Sequence, residues 1–353
     1  MVYLLVNWLP GYAQTVCATL PLEVARRIVP LEQHGVATVL RGLAHTNNDA
    51  CYSSIYAVGQ VMEAIADGSV SQNATAVVVP HTCVGCRAGD LPGLIRKALA
   101  DAGCRQIPVF TAAELLSSCS EEQLGLLARA IVAHELGIRL GRADTGGSTK
   151  PRVALVGTAP PLFNATINNN AVAQIEAEGC SVVIPWYSDF ILYGLEAAGI
   201  ASPLSAALAA ARADVAATCV ERGVPPPLPL EHYRRIALDS SLVSTQETAG
   251  AGWLYVGHVL ECLRSGIKDI VYAHSFGCLP AHTVGRSIFR ELRARYPELN
   301  IVSIEFDPGA SGVNQSNRLR LLTSLAILSA VTRVPTIIRE DGEYHEGHTG
   351  SGR

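Results

Sequence analysis

The chain has 353 residues, 49% of them hydrophobic and 16% charged, with a formal charge of −4. That length suffices for two α/β domains with a core in each. Acids and bases are intermixed, and neither a basic stripe nor a basic amphipathic segment is present, which argues against nucleic-acid and membrane partners.

Met1–Leu9 is apolar but lacks a positive leader and meets Pro10 early, which fails as a signal peptide. Later apolar stretches such as Leu319–Val331 read as too short and too polar to span a bilayer. The expectation is a soluble, cytoplasmic protein whose ten cysteines are reduced, since disulfide frameworks suit small, core-poor secreted domains. Most of the ten, including Cys17, Cys104, Cys119, Cys180, Cys219 and Cys262, read as small core hydrophobes.

Strand-like and helical runs alternate, which predicts βαβ units around parallel sheets. A helix is predicted over about Tyr52–Ala66, a doubly buried strand over Ala74–Val79, a helix over Leu91–Ala102 and a short strand over Ile107–Phe110. Helical periodicity over Glu121–Leu140 closes a first lobe, residues 1–143. Residues 144–151 (DTGGSTKP) read as a linker.

The second lobe, residues 152–338, opens on a strand at Arg152–Gly157, followed by a helix at Ala171–Glu178 and a strand at Ser181–Pro185. An alanine-rich helix over Ser202–Arg222 ends before three prolines at 225–227. Helices at Gly252–Ser265 and His282–Tyr296 flank a strand at Asp269–Ala273, and a strand at Asn300–Phe306 precedes a final helix at Asn314–Ser329. Residues 339–353 read as a polar, disordered tail. Its His345 and His348 read as solvated.

An internal echo organises the chain. Val58-Gly59-Gln60-Val61-Met62-Glu63, a glycine, a β run and Gly85-Cys86 recur as Val256-Gly257-His258-Val259-Leu260-Glu261, a glycine, a β run and Gly277-Cys278. The agreement in order predicts two related lobes. Open α/β sheets bind ligands at the carboxyl ends of their strands. Cys86 and Cys278 each follow such an end, behind a glycine that permits a tight turn. Cys51 precedes a helix, where free N–H groups favour a thiolate. Its echo position in the second lobe is Ala249. If the lobes face each other, the three thiols share one central cleft. Three thiolates suit a four-iron cluster with one open iron, and equally a zinc site with an open position.

Asn47–Tyr52 (NNDACY), Gly85–Ala88 (GCRA) and Phe276–His282 (FGCLPAH) resemble three signatures of the 2-hydroxyacyl-CoA dehydratase family, in particular its activase-related branch. Asn168–Asn170, Asp307–Ser311, Val313–Gln315 and Asn317-Arg318 agree, so the likeness covers roughly residues 45 to 330. It implies two Rossmann-like lobes and a 4Fe-4S cluster on three cysteines, matched by Cys51, Cys86 and Cys278. It also implies an ATP-dependent activator protein of the actin/hexokinase-like fold that supplies low-potential electrons, and a homodimer or a paralogous second subunit. Family dehydratases use one electron to eliminate water from an acyl thioester, and relatives reduce other substrates. Two departures stand out. Ser53 occupies a position where the family often has proline, and Cys83 one where it usually has glycine. Cys83 is thus a candidate additional ligand, of this cluster or of a larger one. No phosphate-cradling glycine loop in a strand-to-helix setting is visible, so the expectation is that ATP binds elsewhere than on this chain. The alternatives are a non-catalytic iron–sulfur carrier and a zinc-binding two-lobed protein.

Asp49, Tyr52, Arg87 and His274 are the candidate catalytic residues, as proton gates or substrate-orienting groups beside the thiols. Asp49 reads equally as a cap. His282 reads as part of the following helix. Asn168–Asn170, Asp307, Asn314 and Asn317 read as cleft-lining or as turn residues satisfying their own backbone.

Overall fold

The computed structural model describes residues 2–7, 13, 17, 26–47, 49–68, 71–80, 85–142, 150–200 and 202–332, without the side chains of Gln72 and Arg87. Cys83, most of the linker and the tail with His345 and His348 fall outside them.

Two four-stranded sheets are wound identically. Strands β1 (Val2–Leu5), β2 (Ile28–Pro30), β3 (Thr75–Val79) and β4 (Val109–Thr111) lie in the order β2-β1-β3-β4, every pairing parallel. Strands β5 (Arg152–Gly157), β6 (Ser181–Val183), β7 (Asp269–Ser275) and β8 (Asn300–Phe306) repeat this as β6-β5-β7-β8, again all parallel. The two Rossmann-like lobes expected from the alternating pattern are present. Every residue of β3 and of β7 is buried, which explains why β3 reads as an apolar run, whereas β7 also buries Asp269, His274 and Ser275. The short β1 and β2 carry no period long enough to be read from sequence.

The first lobe carries helices α1 (Val36–His45), α2 (Tyr52–Ala66), α3 (Leu91–Asp101), the short α4 (Ala112–Leu116) and the long α5 (Glu121–Arg142). After β5 come α6 (Ala159–Phe163), α7 (Ala171–Ala177), α8 (Tyr187–Ala197), α9 (Pro203–Glu221), α10 (Leu230–Ser240), α11 (Gly252–Arg264), α12 (Phe289–Arg295) and α13 (Gly312–Thr332).

The sequence echo marks α2 and α11, and two of its fixed residues do the same work in each. A Cβ on Gly59 would fall 2.0 Å from the Thr38 carbonyl oxygen of α1, and one on Gly257 would fall 2.9 Å from the Tyr233 Cβ of α10. Each glycine lets the preceding helix press close. Four residues on, Glu63 accepts a hydrogen bond from the Thr38 hydroxyl at 2.5 Å, and Glu261 meets His232 Nε2 at 2.6 Å. Both helices are buried almost all round at their amino ends, so polar-face periodicity is weak there.

Three features depart from expectation. Helix α5, assigned by sequence to the first lobe, packs on α9 and α8 of the second. Its buried Glu135 accepts the first N–H groups of α8, from Tyr187 and Ser188, which otherwise have no intrahelical partner. The helix expected over His282–Tyr296 begins instead as a π-helical turn, Ala281–Arg286, followed by α12. The Tyr272 hydroxyl packs into this turn: it donates to the Ala281 carbonyl at 3.3 Å and lies 1.7 Å from where a Gly285 Cβ would stand, an insertion of the kind that bends helices. Finally, α9 is long and apolar enough, by length and composition, to cross a membrane, contrary to the reading of the apolar stretches. In the fold it packs on α5 and buries Arg212 against Asp189.

Candidate functional site

Cys51, Cys86 and Cys278 line one small cavity of about 50 Å³, together with Thr158, Phe190 and Tyr255. Cys51 is the N-cap of α2, Cys278 follows β7, and Cys86 opens the 3₁₀ turn Arg87–Asp90 beyond β3. The glycines before the latter two are left-handed, with φ of 65° at Gly85 and 69° at Gly277, as a tight turn at a strand end requires. The segments interlock across the lobes. The Tyr52 amide donates to the Phe276 carbonyl at 3.0 Å, and the Ser53 and Ser275 hydroxyls share a buried hydrogen bond of 2.6 Å. Ser53 is therefore a clasp between the lobes.

The Cys51 thiol is held below its ordinary pKa. A hydrogen bond from Cys278 is the largest cause; burial opposes it, and the Ser53 and Ser54 amides at the start of α2 add to it. The negative charge of a Cys86 thiolate works the other way. The lowering favours the thiolate form of Cys51, and Cys278 stands within hydrogen-bonding reach of it. The three sulfurs do not all lie within 4.8 Å of one another, wider than the ~3.8 Å between thiolates on one tetrahedral zinc. None of the nine described cysteines forms a disulfide.

No protein-family model matches this chain, and no curated protein matches it. The site must be judged on its chemistry. Tyr52 is pushed up to about 12 by burial, with Tyr56 and Asp307 adding to it, so it is a neutral donor at physiological pH. Its interaction with Asp307 spans the lobes. Asp307 also accepts the Gly309 amide at 2.9 Å, the turn role expected for it. His274 is fully buried but turns toward Ser303, with Nε2 to Oγ 2.9 Å, and it does not line the thiol cavity. Asn168 bonds the Pro161 carbonyl and the Ala171 amide, and Asn169 and Asn170 take left-handed φ values. These are structural roles. Asn314 and Asn317 are exposed on α13. The Cys83 question lies outside the described residues, as does the Arg87 side chain.

Sequence reasoning missed a buried ionic network in the second lobe. Asp189 lies between Arg212, at 2.5 Å, and His258 Nε2, at 3.1 Å. Although burial raises its pKa, those two neighbours hold it below the ordinary value. Nearby Glu135 is pushed up to about 7, chiefly by burial. A larger cavity of about 1040 Å³ opens beside Glu135 and is lined by Arg139, Arg142, Lys150, Arg152 and Trp186. It holds none of the three candidate thiols. No local motif announces this network, because its members come from four separate helices.

Proposed function

We propose that this chain is an iron–sulfur protein of the 2-hydroxyacyl-CoA dehydratase type, with Cys51, Cys86 and Cys278 as cluster ligands. The observation that carries the reading is that these three cysteines, far apart in sequence, line one cavity while Cys104, Cys180 and Cys219 are buried elsewhere. The donor set fits: the Cys278 hydrogen bond and, after it, the first amides of α2 lower the Cys51 pKa and so favour the thiolate, the form an iron ligand requires. The space is tight. About 50 Å³ is room for one or two waters, so taking up a four-iron cluster requires the glycine-hinged segments at Gly85 and Gly277 to move apart.

Such a cluster supplies single-electron transfer. Low-potential electrons would come from an ATP-dependent activator protein and pass to a bound substrate for dehydration or reduction. The chain's own residues define the setting. Tyr52, next to Cys51 in the chain, stays protonated, and Phe190 and Tyr255 line the cavity. The test is iron and sulfide analysis after anaerobic reconstitution. About four of each per chain, lost in Cys278→Ala and kept in Cys104→Ala, supports the reading. Stoichiometric zinc without sulfide, or iron retained in Cys278→Ala, overturns it.

A further inference from the structure

The second lobe holds another donor set that the reading above does not use. One ring nitrogen each of His274 and His282 and one carboxylate oxygen of Glu305 lie within 4.8 Å of one another, the sole such trio of metal-ligating side chains among the described residues. His274 leaves the carboxyl end of β7, Glu305 the adjacent position on β8, and His282 the π-helical turn. His274 and Glu305 are directly paired in the strand register. The π-turn is what turns His282 back onto them: its Nε2 lies 3.0 Å from Glu305 Oε1, and its ring stacks edge-on against His274 at 4.6 Å. Such turns recur at functional sites.

We infer that His274, His282 and Glu305 form a binding site for a divalent transition-metal ion. Two imidazoles and one carboxylate on a shared face are the donor set of open-sided zinc and ferrous sites, and hard cations such as magnesium prefer all-oxygen shells. Tetrahedral ligands at about 2.1 Å from a metal stand about 3.4 Å apart. Closing the trio from its present spacing, at most 4.8 Å, therefore needs a movement of about 1 Å. His274 is fully buried and oriented by Ser303, which supplies the supporting hydrogen bond a metal-bound imidazole needs. His282 and Glu305 are each about a third exposed, at 33% and 35%, so an ion has an entry path and an open coordination position. Arg286 faces His274 and opposes a cation, which makes the Glu305 carboxylate the charge on which binding depends.

The site is independent of the cluster, because it contains no sulfur donor. The experiment is a cobalt(II) titration of the full-length protein in which Cys51, Cys86 and Cys278 are replaced by serine, followed by absorption and competed with zinc. Expected is one saturable equivalent with d–d bands and no thiolate charge-transfer band. Binding should fall by at least the ~10–100-fold that even a supporting residue commands, in both Glu305→Gln and His282→Ala. Both positions are partly exposed, so the fold should survive, and circular dichroism checks that it does. Unchanged affinity in both variants, or no saturable binding in the parent, overturns the inference. Neither result bears on whether the three thiols hold iron.

Discussion

Gly85 of the first lobe lies against Ala249 of the second, a Cβ on the glycine falling 3.5 Å from the Ala249 Cα, just as Gly277 of the second lobe lies against Cys51 of the first, at 3.3 Å. Ala249 is the echo counterpart of Cys51, and Gly85 that of Gly277. The lobes are therefore exchanged by a local pseudo-twofold relationship, on which one thiol has no partner. Ala249→Cys should restore it. The introduced thiol should stand to Cys86 as Cys51 stands to Cys278. Mild oxidation of the unreconstituted variant should then join Cys86 to the introduced thiol in a disulfide detectable by peptide mapping. Failure to cross-link would show that the pseudo-symmetry stops at the backbone.

Gly277→Ala should destabilise the protein through two effects. Its φ of 69° strains any side chain, by about 1–3 kcal/mol, and the added Cβ meets Ala50, Cys51 and Asp49. Gly103→Ala provides the control, since Gly103 has φ of 76° and nothing within 4 Å of a Cβ. Thermal melts should show the larger loss at Gly277. Equal losses would mean the lobe contact yields freely.

Ser53→Ala and Ser275→Ala should each cost about 1–3 kcal/mol, because each leaves a buried hydroxyl without its partner. The double variant should cost less than the sum. Denaturant titration of the four proteins gives the coupling, and strict additivity would remove the clasp from the account.

Glu135 governs part of the pH dependence. Its folded pKa of about 7 lies above its unfolded value, so the folded state holds the proton more tightly. The stabilisation is complete below the unfolded value of about 4.5 and is lost as pH rises through 7, on the order of 3 kcal/mol in all. Glu135→Gln should flatten the melting temperature between about pH 4.5 and about pH 8. An unchanged slope would assign that dependence to other groups.

Much of the fold was legible in the residues. The buried strand β3 announces itself as an apolar run, and the echoed Gly59/Glu63 and Gly257/Glu261 mark helix contacts that recur in both lobes. The meeting of Cys51, Cys86 and Cys278 in one cavity followed from placing strand ends and one helix start, because sheet topology fixes where those ends point. The rest was hidden for physical reasons. The affiliation of α5 is set by Glu135 reaching the amides of α8, a contact between residues 52 and 53 positions apart that no local pattern encodes. The π-turn accommodates the Tyr272 hydroxyl beside Gly285, which is a packing event. His274 lies near Cys278 in sequence, yet its ring turns toward Ser303 and away from the thiols, because strand residues alternate in direction.

The central claim is that Cys51, Cys86 and Cys278 hold iron together with inorganic sulfide. Iron K-edge X-ray absorption of the anaerobically reconstituted protein tests it most directly. The account predicts a sulfur-dominated first shell with a short iron–iron vector, both abolished in Cys51→Ser. A first shell of nitrogen and oxygen with no iron–iron vector, or a cluster signal untouched by Cys51→Ser, would contradict it.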